Sequence, residues 1–394
     1  MGSIRPLEQG DLPQVVDLFE RVMGPDASTA SRPSSPAPAG GPGTNTVRSG
    51  VEPFFRRLFF DCPSVDPEIP SLVYDAGEGR IGGFLGSQPR RMLIDGRPAR
   101  AGVVGPLVSA PDLRRKGVGA LLVRRYFRGP QELTMTDGAG PDVRVLWEKL
   151  GAHAVPLGCL TWNRFLRPFQ LGADWLYPSH TQRRMNRAIK PVGAALDRMA
   201  AAVPTLRLGV DEPSTVTEDL TVEAMLEHLP EIGGKRRVLP GYDHAFLRWL
   251  FDEMDAPVNM LVFRRLQGPS ERGCLRKKLV RDETGNALGW YIAYIVPGGL
   301  AEVLQIAARE QKAAVVIDQL FHDAWSSGAS LLRGRLEPPL CEPIWERRAQ
   351  IRPAARFLVH SRSEKVLDAV LSGDGLLTRL DGDRWIGLHL TAMA

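Results

Sequence analysis

Apolar side chains along the N-terminal half follow two spacings, one typical of helices and one typical of strands. Helical spacing marks residues 12–23, 52–60, 117–128 and 142–150. Strand-like runs begin near residue 4 and then occupy 71–74, 81–87, 91–94, 100–109, 132–136 and 157–165. The closely spaced strands predict an antiparallel meander that leads into a βαβ unit. We therefore predict an α/β fold with a mixed, mostly antiparallel sheet covered by helices.

The C-terminal half repeats this order faintly. Its predicted helices are 221–229, 245–254 and 313–326, and its predicted strands are 206–210, 276–282, 288–296, 302–307 and 331–334. The turn Gly79-x-x-x-Gly83-Phe84 has a counterpart in Gly285-x-x-x-Gly289-Trp290. These parallels predict a second α/β domain of related fold.

A basic, amphipathic segment separates the two halves. Residues 181–210 hold six Lys or Arg against one Asp, and they carry an apolar stripe at Met185, Ile189, Val192, Leu196, Met199 and Val203. We predict an interdomain helix there, and domains at 1–170 and 205–394 with a linker at 171–204. A solvated linker face explains the charge; a membrane-surface or nucleic-acid patch is the alternative, but no nucleic-acid motif is present, so we expect no nucleic-acid partner.

Residues 24–46 contain small and polar side chains with two charges, Asp26 and Arg32. Such a segment buries too little apolar surface to offset the entropy of ordering. It is predicted to be a mobile surface loop, or else a substrate lid that orders on binding.

Composition and length narrow the function classes. The chain has 394 residues, a length typical of two or three domains. Its net charge of +5 and its 43% of hydrophobic residues are typical of ordinary soluble proteins. Its four cysteines lack CxxC spacing, which argues against a zinc ribbon or a secreted disulfide framework. We therefore expect the protein to be located in the reducing cytoplasm. Pro297, Gly298 and Gly299 interrupt the uncharged run at 284–301, so no transmembrane helix is expected. No cluster has metal-ligand spacing.

One segment carries recognisable chemistry. After the strand that ends near Ser109, the chain reads Arg114-Arg-Lys-Gly117-Val-Gly119 and enters a helix. The first N–H groups of a helix lack intrahelical acceptors and carry the positive end of its dipole. Gly117 and Gly119 leave these groups accessible to a phosphate, and three basic side chains add charge. The sequence predicts an anion-binding loop.

This segment resembles the (Q/R)-x-x-G-x-(G/A) signature of the GNAT superfamily of N-acetyltransferases. Leu146-Trp-Glu-Lys-Leu-Gly151 is similar to a second family segment, and the likeness covers about residues 3–168. The resemblance implies acetyl-CoA as co-substrate, with its pantetheine along Leu107 to Ser109 and its diphosphate on the amides of residues 115–120. The residues implied to bind it are Leu107, Val108, Ser109, Arg114, Arg115, Lys116, Gly117, Val118, Gly119 and Ala120. Rossmann and Walker motifs are absent.

The implied reaction is transfer of an acetyl group to a primary amine of a small molecule or sugar. Asp137, after the strand at 132–136, is the candidate base; its alternative is a structural turn residue. His153, on the last loop of the domain, is more simply explained by packing. Trp147 stands where the family often has a Tyr that protonates the thiolate, and Gly140 stands where Asn is frequent. The CoA thiol is acidic enough to leave without a proton donor.

The second half lacks the anion-binding loop, since residues 308–314 contain no glycine. It is predicted to be a degenerate GNAT-like domain that does not hold CoA in the same way, and that completes the acceptor pocket or forms a homodimer surface. Two polar clusters, at 333–337 and 380–385, are candidate pocket linings or ordinary surface contacts.

The acceptor is indicated only by charge. Four arginines near the central hairpin favour an acidic or phosphorylated acceptor such as a nucleotide sugar, although strand edges carry such charges routinely; they are Arg90, Arg91, Arg97 and Arg100. The alternative function is a CoA-binding regulatory or scaffold protein without turnover.

Overall fold

The chain forms two compact units in a computed structural model. The structure describes residues 2–23, 44–170, 192–197, 199–200, 210–255, 273–353 and 356–386. The first unit comprises Met1–Val155, Arg237–Val262 and Arg356–Ala394, and the second comprises Pro156–Arg236 and Phe263–Ala355. Among these described residues, no helix has the length and apolar composition needed to cross a membrane.

The secondary structure is numbered in chain order. The strands are β1 (Ser3–Pro6), β2 (Leu72–Asp75), β3 (Ile81–Ile94), β4 (Arg97–Ser109), β5 (Leu133–Thr136), β6 (His153–Ala154), β7 (Leu160–Phe165), β8 (Val216–Asp219), β9 (Val238–Pro240), β10 (Cys274–Arg281), β11 (Ala287–Ile295), β12 (Leu300–Ala308), β13 (Leu331–Arg335), β14 (Gln350–Pro353) and β15 (Leu358–His360). The helices are α1 (Leu12–Met23), α2 (Thr44–Arg56), α3 (Pro111–Arg114), α4 (Val118–Tyr126), α5 (Pro141–Lys149), α6 (Val222–Gly233), α7 (His244–Asp255), α8 (Ala313–Ser326), α9 (Cys341–Glu346) and α10 (Glu364–Leu371).

Each unit is built on one mixed sheet, and the two sheets share a topology. The first sheet has the order β1-β2-β3-β4-β5-β15-β6, and β9 also pairs with β3. The second has the order β8-β10-β11-β12-β13-β7-β14. Within these two sequences of strands, neighbours are antiparallel except β4 with β5 and β12 with β13. The predicted mixed α/β fold is confirmed.

The sixth strand of each sheet comes from the other half of the sequence. β15 pairs with β5 and β6 in the first sheet, whereas β7 pairs with β13 and β14 in the second. The spatial division therefore differs from the linear division into 1–170, 171–204 and 205–394. β7 lies in the second unit, and the predicted second-domain helix, now α7, lies in the first.

Some elements have different bounds in the structure from those predicted from the sequence. The predicted strands 81–87 and 91–94 form one strand, β3, in which Pro89 lies opposite Gly102. The predicted strand 206–210 lies outside the described residues apart from Val210, and β8 occupies the edge of that sheet. Most of segments 24–46 and 171–204 lies outside them too. Residues 192–197 are helical, but Val192 and Leu196 are exposed rather than packed.

Residues of β3 alternate between two differently covered faces. A Cβ on Gly83 would meet Val118 of α4, and the Ser87 hydroxyl bonds to Tyr126 of the same helix. Phe84 instead packs in an aromatic cluster with Phe19, Phe55 and Phe59 of the α1 and α2 region. Since strand residues alternate between faces, Gln88 and Arg90 lie on the face of Phe84.

Candidate functional site

Strands β4 and β5 separate partway along their length. They pair only from Ala101 to Val103, opposite residues 133–135, whereas β4 continues to Ser109 along β3. At this point Gly105 and Pro106 stand opposite the single residue Gly86, so β4 also bulges. The predicted pantetheine segment, Leu107, Val108 and Ser109, thus has β3 on one side and no described strand on the other.

The helix that follows β4 begins at the predicted anion-binding loop. Gly117 caps α4 with a φ of +74°, a left-handed conformation that glycine adopts without strain. A Cβ on Gly119 would have only the Leu107 side chain near it, at 4.0 Å. The N-terminal turn of α4 therefore lies beside the Leu107 side chain of β4, and Gly119 leaves the space next to it open.

The remaining predicted cofactor residues surround this turn. Arg114, Arg115 and Lys116 are exposed, and none forms an ion pair with a described residue. The Val118 side chain is buried, so its side chain is a core element and only its amide is available to a ligand. Ala120 is partly exposed on the same turn. Three unpaired cations beside free helix amides form a site suited to a diphosphate.

Trp147 belongs to the core of the first unit. Its side chain is fully buried and meets Phe127 edge to face at 5.0 Å, and Phe127 stacks on His360 of β15 at 3.8 Å. Its indole N–H has no hydrogen-bond partner among the described residues. Gly140 caps α5 in an extended conformation, and His153 is exposed on β6.

The predicted base, Asp137, lies beside a second carboxyl group. It follows β5, is 8% exposed, and its Oδ1 accepts the Arg384 amide at 2.8 Å. The Oδ1 of Asp383 accepts from the Asp137 amide at 2.7 Å and from the Gly138 amide and the Thr136 hydroxyl, each at 3.0 Å. The structure thus brings a partly exposed C-terminal acid to the end of β5.

Glycines make room for this pair where the two strands separate. A Cβ on Gly105 of β4 would lie 2.5 Å from the Asp383 Oδ2, and a Cβ on Gly138 would lie 2.6 Å from it. Gly382 leaves similar room for Asp137. Asp383 Oδ2 is therefore held between β4 and the residue after β5.

Burial, and then the negative charge of Asp137, raise the pKa of Asp383 to about 8. The amide of Asp137 and the Thr136 hydroxyl favour the charged form of Asp383, but they do not outweigh these effects. A pKa raised this far favours the protonated form of the Asp383 carboxyl at neutral pH.

The four arginines of the central hairpin differ in their surroundings: Arg90 is buried, and the other three are not. Arg91 pairs with Asp243, Arg100 pairs with Asp66 and Glu68, and Arg97 is exposed. Arg90 is 5% exposed and forms no ion pair with any described carboxylate.

The guanidinium of Arg90 is held by neutral groups. It stacks on Phe246 at 4.6 Å and donates to the Gln88 side chain at 2.9 Å, the Pro89 carbonyl at 3.0 Å and the Ser64 hydroxyl at 3.3 Å. Its Nε and the Gln88 Nε2 receive no hydrogen-bond acceptor from the residues that the structure describes. Burial lowers the pKa of Arg90, because a desolvated cation is disfavoured.

A chain of contacts links Arg90 to the C-terminal segment. Phe246 stacks on Tyr242, whose hydroxyl donates to Asp381, two residues before Asp383. Along the sheet, Gln88 lies opposite Val103, the last residue of β4 that pairs with β5. Both observations place the buried cation and the carboxyl pair in one region of the first unit.

The corresponding turn of the second unit is built differently. Lys312, with a φ of −103°, caps α8, and the first helical residue, Ala313, is buried. Arg236 donates to the carbonyl of Ala308 at the end of β12, and Arg309 pairs with Glu231 at 2.6 Å. In the cluster at 333–337, Arg333 donates to Asn163 and Arg335 lies 3.4 Å from Glu337. Side chains and internal contacts occupy this turn instead of glycines.

The sequence predicted the glycine turn before α4, but it did not predict that Asp383 lies beside Asp137. The sequence placed Asp383 only within a polar cluster at 380–385. Its contacts with Asp137 and Gly138 join residues 246 and 245 positions apart, so no local pattern signals them. In the part of the chain that the structure covers, no group of acidic, His or Cys side chains is arranged to hold a metal ion.

No family model matches the sequence, and no curated protein matches it. Solved structures do match. A probable N-acyltransferase from Enterococcus faecalis V583 is 8% identical with a TM-score of 0.51, over 92% of this chain and 73% of that one. A GCN5-related N-acetyltransferase from Anabaena variabilis is 12% identical with a TM-score of 0.51, over 94% and 75%.

Saccharomyces cerevisiae N-myristoyltransferase, solved with myristoyl-CoA and inhibitors, is 10% identical with a TM-score of 0.51. The match covers 91% of this chain and 80% of that one. At such low identity these likenesses establish fold alone. The chain has the fold of GCN5-related N-acetyltransferases, as its glycine motif predicted.

Proposed function

We propose that the protein is an acyl-CoA-dependent N-acyltransferase, and that its first unit transfers an acetyl group from acetyl-CoA to a primary amine of a small molecule or sugar. The observation that carries this proposal is the open turn at Gly119, which lies beside Leu107 on the part of β4 that does not pair with β5. Diphosphate on the amides of residues 118–120 and pantetheine along Leu107 to Ser109 would occupy adjoining surfaces. Arg114, Arg115 and Lys116 supply the charge.

The residues around the strand separation suit the chemistry of acyl transfer. Acetyl-CoA supplies the thioester that the amine attacks. Asp137, with Asp383 beside it, is placed to remove the proton of the incoming ammonium group. Trp147 is a core residue with no ionisable group, so departure of the thiolate relies on the acidity of the CoA thiol.

Calorimetric unfolding with and without acetyl-CoA tests the binding site. Ligand at about 100 times its dissociation constant is expected to add about 2.7 kcal/mol to the unit that binds it, or about 5 to 10 °C in its transition. In Gly119→Glu the new carboxylate repels the diphosphate, so the shift is lost. The open space at Gly119 lets this variant fold.

Gly10→Glu is the matched control, because Gly10 is exposed and a Cβ there has nothing within 4 Å. It is expected to keep the full acetyl-CoA shift. If the wild type shows no shift with acetyl-CoA, other acyl-CoAs or free CoA, the proposed site is wrong.

Arg90 favours an acceptor that carries an anionic group besides its amine. Buried cations are ordinarily paired with an anion, whereas Asp381 attracts Arg90 without forming an ion pair with it, and no other described carboxylate forms one. A carboxylate or phosphate of the acceptor would supply the acceptor atoms that Arg90 Nε and Gln88 Nε2 lack. Binding of this anionic group by Arg90 would let the enzyme select its acceptor at a point away from the reacting amine.

Arg90→Met keeps an unbranched side chain against Phe246 and removes the charge. We expect KM for amines bearing a carboxylate or phosphate to rise about ten- to a hundredfold, and KM for amines without one to change little, because hydrogen bonds to charged groups contribute about 1.5 to 3 kcal/mol. Arg97→Met, at an exposed position of the same hairpin, is the control. Equal loss for both classes of amine would contradict this assignment.

The alternative is a CoA-binding protein without turnover, favoured by the unsuitability of Trp147 as an acid. Release of free CoA thiol with a panel of amines separates the two. Binding without release across the panel would support the regulatory function.

A further inference from the structure

We propose that Asp383 is the group that takes the proton of the acceptor amine, and that Asp137 is its positioning residue. This assignment rests on the proposed acyl-transfer function and changes which carboxyl group performs the proton transfer. It also gives a role to the C-terminal cluster that the sequence alone left open.

The two oxygens of Asp383 are placed for different tasks. Oδ1 accepts three hydrogen bonds, from the amides of Asp137 and Gly138 and from Thr136, which fix the carboxyl group against the end of β5. The carboxyl group also hydrogen-bonds with the Asp137 side chain, and its Oδ2 lies between Gly105 and Gly138, where the two strands separate. One oxygen thus anchors the group, and the other is directed at the separation of the two strands.

Asp137 is the less suitable of the two for direct proton transfer. Its residue is 8% exposed, and its Oδ1 is engaged by the amide of Arg384. Its backbone amide and that of the next residue hold Asp383, and its side chain lies beside the Asp383 carboxyl. Asp137 therefore acts through Asp383, by orienting it and by placing a negative charge next to it.

The proton balance of the step is complete. The Asp383 carboxylate takes one proton from the ammonium group, which frees the nitrogen lone pair. A C–N bond forms at the thioester carbonyl and the C–S bond breaks, with the bonding pair leaving on sulfur. The second proton lost by nitrogen goes to the thiolate, and Asp383 returns its proton to water. The products are an amide, the CoA thiol and one proton.

The electrostatic surroundings of Asp383 match this task. The titratable group that faces it is Asp137, from the end of β5, while Gly105 of β4 and the hydroxyl of Thr136 are neutral. Burial and the charge of Asp137 raise the pKa of Asp383 to about 8. A base is most effective when its pKa lies near the working pH, and this value also lies close enough to that of an amine for ready transfer.

Steady-state kinetics between pH 6 and 9.5, with acetyl-CoA and the best amine of the panel, test the assignment. For the wild type, kcat/KM should rise with pH to a plateau with an apparent pKa near 8. Asp383→Asn keeps an oxygen for the three donors and should lower kcat about a hundredfold or more, since general bases contribute about 10² to 10⁴. Asp383→Glu should restore part of the rate.

Asp137→Asn distinguishes a positioning role. It should shift the pH profile to lower pH, because the charge that opposes ionisation of Asp383 is gone, and it should lower kcat less than Asp383→Asn does. Both variants should retain the acetyl-CoA shift in unfolding, which separates loss of proton transfer from loss of the site.

Two results would overturn the inference. Full activity and an unchanged pH profile in Asp383→Asn would exclude Asp383 as the base, while leaving the acyl-transfer function in place. No turnover by the wild type with any amine would overturn both.

Discussion

A fragment of residues 1–170 is expected not to fold, although it contains all the strands and helices predicted for the first domain. In the first unit, β5 and β6 are joined through β15, and β3 is extended by β9, so the fragment loses both strands. It also loses α7 and the C-terminal segment. The buried apolar residues that go with them are Val238, Phe246, Leu247, Leu250, Phe251, Phe357, Leu358, Val359, Leu380 and Trp385.

The size of this loss exceeds the stability of an ordinary domain. Burying a large apolar side chain contributes about 1.5 to 3 kcal/mol, and a folded domain is stable by about 5 to 15 kcal/mol. The fragment also exposes the edges of β5 and β6, which favour aggregation. We expect no cooperative thermal transition and no near-ultraviolet circular dichroism signal.

The full chain, measured in parallel, is the control and should unfold cooperatively. Mixing the fragment with residues 171–394 during refolding should recover structure, because the second piece carries β15. If the fragment alone unfolds cooperatively and binds acetyl-CoA, then β9 and β15 are not required for the fold of the first unit.

Local signals account for what the sequence predicted well. The helix at 313–326 depends on its own apolar spacing, and the structure has it as α8 with the same bounds. The strand, glycine turn and helix around Gly117 are contiguous in sequence, so this arrangement was visible as a motif. The placement of β7 and β15 in sheets built mostly from the other half of the chain was not visible, because nothing in their local sequence specifies their partners.

The same reasoning applies to the site. Asp137 was predicted as a site residue because it follows a predicted strand, and it does directly follow β5 in the structure. Asp383 and the burial of Arg90 arise from segments far apart in the chain: Thr136 bonds to a residue 247 positions away, and Phe246 covers an arginine of β3. The gap between the predicted strands 81–87 and 91–94 is closed in the structure, where Pro89 lies opposite Gly102 of β4.

We expect the contribution of Asp383 to the free energy of unfolding of the first unit to decrease as pH rises from about 4 to about 8. The pKa of its carboxyl is raised in the fold to about 8 from an ordinary 3.8. Between these values the folded state binds more protons than the unfolded state, so raising the pH favours unfolding. The contribution is fully present below about pH 4 and is lost as pH rises through about 8.

Asp383→Asn should remove this dependence. The variant should match the wild type near pH 4 and be more stable near pH 8, by a difference on the order of a few kcal/mol, given about 1.36 kcal/mol per pKa unit. Urea unfolding at steps across this range measures the difference directly. Asp252→Asn, at an exposed position of α7, is the control and should follow the wild type within about 0.5 kcal/mol.

The sign of this effect separates two accounts of the carboxyl pair. If its hydrogen bonds make Asp383 a structural anchor that is stable as an anion, then Asp383→Asn destabilises the protein, and most strongly above pH 5. If the pair holds a proton, the same substitution stabilises the protein at pH 8, at the cost of the proposed proton transfer. Residues retained against stability are characteristic of catalytic sites, so gained stability with lost turnover in one variant is the combination expected of the base.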